Sequence, residues 1–112
     1  MNELPATMLQ LRSLVTPEGE LRLLAAKVDT PRPGHREVLV RVEAAPINPS
    51  DLGLLVAMAD VSAAVAGGSP DAPTVTAPIL EPVMRSLTAR VGNAMAVGNE
   101  GAGVVPSASA TT

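Results

Sequence analysis

The chain has 112 residues, is 46% hydrophobic and 17% charged, carries a formal net charge of -3, and contains no cysteine and no aromatic residue. This is the composition of one globular domain rather than of a disordered segment. It excludes disulfides, thiolate zinc sites and thiol nucleophiles, aromatic base-stacking platforms and a basic nucleic-acid arm, and it lightens the core, because Phe, Tyr and Trp usually bury the largest areas.

The N-terminal stretch MNELPATMLQ holds Glu3 and has no basic region leading into an apolar one, so it is not a secretory signal. No uncharged apolar run approaches the roughly 18 residues of a membrane span. A soluble, cytoplasmic protein is the expectation. Residues 8–15, MLQLRSLV, set Gln10 and Arg12 between apolar neighbours and predict a strand. TPEGE supplies a turn, with Pro17 suited to an early turn position and Gly19 to a positive φ. LRLLAAKV, residues 21–28, returns as the second arm of a hairpin, and DTPRPG, residues 29–34, is a proline-stiffened loop.

EVLVRVEAA, residues 37–45, gives the strongest strand signal in the chain. Val38, Val40, Val42 and Ala44 fall on one face, and Leu39, Arg41 and Glu43 on the other. After PINP a short helix is predicted, capped by Ser50 or Asp51, with Leu52, Leu55, Val56 and Ala59 as its apolar stripe. Residues 60–73, small and punctuated by Gly and Pro, predict a loop. A second helix is predicted over 81–91, with Pro82 in its first turn, Met84, Leu87 and Val91 along one face, and Gly92 at its end. VGNEGAGVV, residues 97–105, reads as a tight turn entering a strand. The tail PSASATT is low in complexity and reads as frayed.

Few residues could carry chemistry. Asn48 lies between Pro46 and Pro49, which restrict its backbone. Its amide can serve a nicotinamide or ribose group, or it can make an Asx-type turn ahead of the helix. Asp51 can orient Asn48 or a ligand, or cap the helix. Gly98, Gly101 and Gly103 have the reverse of the dinucleotide G-x-G-x-x-G spacing and lead into a strand, so they fit a bulge or a close backbone approach instead. Glu100 beside Asn99 is either a supporting carboxylate or an exposed turn acid. His35, the single histidine, sits in a turn after Pro33-Gly34 and is expected to be solvated. No zinc ligand set and no nucleophile motif is present.

Two stretches, PRPGHREVLVRVEAAPINPSDL at 31–52 and VGNEGAGVV at 97–105, together resemble the N-terminal, GroES-like domain of the medium-chain dehydrogenase/reductase superfamily. The nearest branch is that of the zinc-independent quinone oxidoreductases and enoyl reductases. The likeness covers most of residues 8–105. It implies a mainly β fold with one or two short helices, a GroES-like, partly open barrel incomplete at its C-terminal side. It also implies hydride transfer from NADPH to a quinone or a conjugated carbonyl or enoyl substrate. Asn48 and Asp51 match the family's asparagine and acid at the nicotinamide side of the cleft. Asn99 and Glu100 stand where zinc-dependent relatives carry His-Glu, which agrees with a branch without catalytic zinc.

The sequence departs from that family in two ways. Residues 53–60, GLLVAMAD, lack the tyrosine that such enoyl reductases use as proton donor. The cofactor-binding Rossmann domain is also not found within these residues. The expected organisation is an N-terminal extension over 1–7, a truncated GroES-like domain over 8–105 and a flexible tail over 106–112. On this reading the chain supplies the substrate-side wall of an oxidoreductase, is inactive alone and does not hold NADPH by itself. A stand-alone binding or assembly module without catalysis is the alternative. The missing closing strands predict an exposed sheet edge that could support a homo-oligomer. No nucleic acid or membrane partner is expected.

Overall fold

The computed structural model describes residues 4–106; residues 1–3 of the expected N-terminal extension and all but Pro106 of the expected tail lie outside the described residues. The first two predicted strands form a long hairpin, β1 (Thr7–Val15) and β2 (Glu20–Asp29), in continuous antiparallel register from Thr7↔Asp29 to Val15↔Leu21. Its turn closes through Thr16 N–H to Glu20 O at 2.8 Å and Gly19 N–H to Thr16 O at 3.1 Å. Gly19 takes φ +90° there, the left-handed region that the sequence assigned to it.

Residues 60–73 are the clearest correction. The predicted loop contains a 3-10 turn (Val61–Ala63), then β4 (Val65–Ser69) and the start of β5 (Ala72–Pro78). β5 pairs with β2 from Glu20↔Pro78 to Leu24↔Thr74, and β4 pairs with β5. Glycine and proline marked the segment as irregular. The β-branched run Thr74-Val75-Thr76 gains a ladder from β2, and tertiary pairing overrides local propensity. Ser-Pro-Asp makes the connecting turn, held by Ala72 N–H to Ser69 Oγ at 3.1 Å.

The second predicted helix is observed as α2 (Glu81–Met84) running into a 3-10 segment (Arg85–Arg90). β6 (Met95–Ala96) then adds to β1 at Arg12 and Ser13. The result is a five-stranded antiparallel sheet in the order β4-β5-β2-β1-β6. A separate two-stranded ribbon pairs β3 (Arg41–Ala44) with β7 (Ala102–Val104). The fold is mainly β with two short helices, as expected. The sheets do not close into a barrel among the described residues.

The core occupies one end of the sheet. Val15, Leu21, Ala57, Ala77 and Ile79 are its buried apolar residues, with Leu23, Val56, Val83, Met84, Leu87 and Val91 packed around them. Predicted helix-face residues Met84, Leu87 and Val91 therefore do face the core. The Cα radius of gyration is 16.5 Å, with extents of 51 × 29 × 23 Å, against about 13 Å for a compact chain of this length. The molecule is elongated, with the buried cluster among the described residues gathered at this one end.

Buried Ser13 ties three elements together. Its Oγ donates to Leu55 O at 2.9 Å and accepts from Arg90 Nη2 at 3.0 Å. Arg90 Nε is already buried without a partner among the described residues. Ser13→Ala is expected to cost roughly 1–3 kcal/mol, because it strands Leu55 O and a second guanidinium donor. A urea titration reads this as a lower midpoint at unchanged slope; an unmoved midpoint would show that the network contributes nothing.

Candidate functional site

The chain leaves β3 through Pro46 and enters the first helix, α1 (Pro49–Val56), through Asn48. Asn48 is the N-cap by position, with extended backbone at φ -97° and ψ 155°, and Pro49 holds the first helical position. This corrects the expectation of Ser50 or Asp51 as the cap. The helix starts earlier because Pro49 has no N–H to satisfy and its fixed φ already suits a helix. Asp51 is the third helical residue, and its carboxylate reaches back to accept the Asn48 N–H at 2.8 Å, one half of a capping box. Asp51 thus orients Asn48 through the backbone. The predicted apolar stripe is kept in part: Val56 and Ala59 pack against the core and Ala57 is buried in it, while Leu52 is exposed.

β7 brings the second stretch to this corner. It pairs with β3 as Arg41↔Val104, Val42↔Gly103 and Ala44↔Ala102, with a register shift between Val42 and Ala44. The irregularity and close backbone approach expected of the three glycines occur at Gly103, whereas Gly98 has open space around it. At Gly103 a Cβ would sit 2.7 Å from the Arg41 carbonyl carbon and 2.9 Å from Val42 Cα, so only glycine fits the ribbon there.

Across the ribbon, Asn48 Nδ2 donates a hydrogen bond to Glu100 Oε2. Three of the four predicted site residues, Asn48, Asp51 and Glu100, therefore meet at one corner. Asn99, the fourth, is exposed beside Glu100. Asn48 is half-buried and Glu100 exposed, so the corner is open to a ligand from the solvent side. It offers one carboxamide and two carboxylates. Such a set accepts hydrogen bonds from hydroxyl and amide N–H groups and repels phosphate. His35 lies exposed in a turn, as expected.

No three His, Cys, Asp or Glu side chains among the described residues are grouped to hold a metal ion. No described helix is long and apolar enough to cross a membrane. One feature escaped the sequence reading: a cavity of about 400 Å3 between the outer ends of β1 and β3, lined by Met8, Leu9, Leu39, Val40, Arg41 and Val42 among others. Its signal was the strand pattern of residues 37–45, which revealed apolar side chains but not what covers them.

Compared with protein-family models and with curated proteins, the chain matches neither.

Proposed function

We propose that the chain forms the substrate-side wall of an NAD(P)H-dependent, zinc-independent oxidoreductase that transfers hydride to a quinone or a conjugated carbonyl or enoyl acceptor. The Asn48–Glu100 corner meets the nicotinamide-ribose end of the cofactor. The observation that carries this reading is the hydrogen bond from Asn48 to Glu100, because it joins the two stretches on which the family resemblance rests.

The chemistry of the corner fits that end of the cofactor and not the other. Ribose hydroxyls and a nicotinamide carboxamide donate to carboxylate oxygens, and Asn48 can both donate and accept. A diphosphate could use the N-terminus of α1, but there it would meet the carboxylates of Asp51 and Glu100, which oppose it. When bound, the cofactor supplies the hydride. The chain's own part is to orient the nicotinamide through Asn48, with Asp51 fixing the Asn48 backbone. Hydride transfer requires the nicotinamide to be held against the substrate, so this wall contributes positioning rather than turnover. A non-catalytic module is the second reading, favoured by the unpaired strand edge described below.

Calorimetry with NADPH at millimolar concentration tests the proposal. The resemblance alone implied that the chain does not hold NADPH by itself; the corner that Asn48 and Glu100 form changes that expectation to weak saturable binding, with a Kd near 1 mM or about -4 kcal/mol, lost in Asn48→Ala. Absence of saturable heat, or equal heat from the variant, would count against a cofactor role for this corner.

A further inference from the structure

Residues 37–45 carry the strongest strand signal in the sequence, yet only Arg41–Ala44 sit in a ladder. Among the described residues Val38, Leu39 and Val40 have no ladder partner and take part in no turn or loop backbone hydrogen bond. Val38 is 59% exposed and Val40 40%. The stretch lies between two open spaces. The cavity of about 400 Å3 is walled by Leu39, Val40, Arg41 and Val42, and a second of about 380 Å3 by Glu37, Val38 and Leu39. Alternate side chains of a strand leave on opposite faces. A space walled by four consecutive residues is therefore open along the strand edge, not over one face alone. An apolar segment with no ladder partner, leading directly into β3, is a template for another strand.

The sequence of the stretch selects its partner. Paired antiparallel with itself about Leu39, it sets Glu37 opposite Arg41 twice and Val38 opposite Val40 twice. Opposite charges and β-branched pairs at facing positions are the favourable combinations. The exposed edge of β4, Val-Ala-Gly-Gly-Ser, has no charge and two glycines, so nothing there fixes a register. We propose that two copies of the chain form a two-fold dimer through residues 37–41, antiparallel about Leu39. Such an interface is closed and uses the same patch on both copies. Glu37 now accepts the Gly34 N–H at 2.7 Å, and Arg41 lies 3.5 Å from Glu43. Both contacts are exposed and exchange readily for the intermolecular pairs. The proposal is independent of the reading given to Asn48.

Sedimentation equilibrium of the full chain at low salt tests it by charge exchange. The native chain is expected to dimerise. Glu37→Arg and Arg41→Glu each place like charges opposite one another twice and are expected to weaken the dimer about tenfold or more. The double variant Glu37→Arg/Arg41→Glu restores the complement and is expected to return to within about threefold of the native constant. All these positions are exposed, and far-UV circular dichroism checks that each variant keeps the native strand content. A monomeric native chain overturns the proposal. So does a dimer insensitive to either single exchange, which would place the contact on another face, or a double variant no tighter than the singles.

Discussion

Leu21→Ala is expected to leave the chain without a cooperative thermal transition above 25 °C. Leu21 is 2% exposed and stands at the centre of the packed end, opposite Val15 on β1 and Ala77 on β5. Truncating such a leucine costs about 2–5 kcal/mol through lost transfer energy and the cavity left behind. Whole domains are stable by only about 5–15 kcal/mol. Among the described residues the buried hydrophobic side chains are five, two of them alanines, and the sequence has no aromatic ring to support them, which places the chain at the low end. A far-UV circular dichroism melt measures this. The matched control is Leu9→Ala: Leu9 is 62% exposed, and its loss is expected to change stability by less than about 0.5 kcal/mol. A sigmoidal Leu21→Ala melt with a native midpoint would show that the core lies elsewhere.

Gly103→Val is expected to open the β3–β7 ribbon while the five-stranded sheet persists. The added Cβ has no space against the backbone of Arg41 and Val42, and relief of such overpacking costs about 1–3 kcal/mol. The two strands can part at that cost because the ribbon shares no ladder with the larger sheet. Amide hydrogen exchange then reports lost protection at the ladder amides within Arg41–Ala44 and Ala102–Val104, with little change along β1 and β2. The same variant separates Asn48 from Glu100 without altering either residue. Retained protection in the ribbon would mean that the strands tolerate a side chain at this position.

The parts of the fold legible in sequence are those whose partner is local. The β1–β2 hairpin follows from alternation on both sides of a Pro-Glu-Gly turn, and the helical segment of α2 and its 3-10 continuation from the spacing of Met84, Leu87 and Val91 against Pro82 and Gly92. β4 and β5 were not legible, because β5 owes its order to β2, some fifty residues earlier in the chain. Residues 37–40 failed in the opposite sense. Their strand propensity is high, but β7 reaches only Arg41–Ala44, so the pattern has no ladder to join. At the candidate site, Asn48, Asp51 and Glu100 could each be singled out from neighbouring prolines, glycines and the helix start. Their meeting could not be derived from local pattern, because it depends on the register between β3 and β7. The resemblance to a reductase domain is what suggested grouping them.

The corner made by Asn48 and Glu100 is proposed to recognise the nicotinamide-ribose half of the cofactor. The most direct measurement is a 1H–15N nuclear magnetic resonance titration of the full chain with the two halves of the cofactor separately. The nicotinamide riboside half, which carries no phosphate, is expected to shift the Asn48 side-chain amide and the backbone amides of Asp51 and Glu100. The adenosine diphosphate half is expected to leave them in place, since two carboxylates face it. Shifts produced equally by both halves, or by neither, would contradict the account.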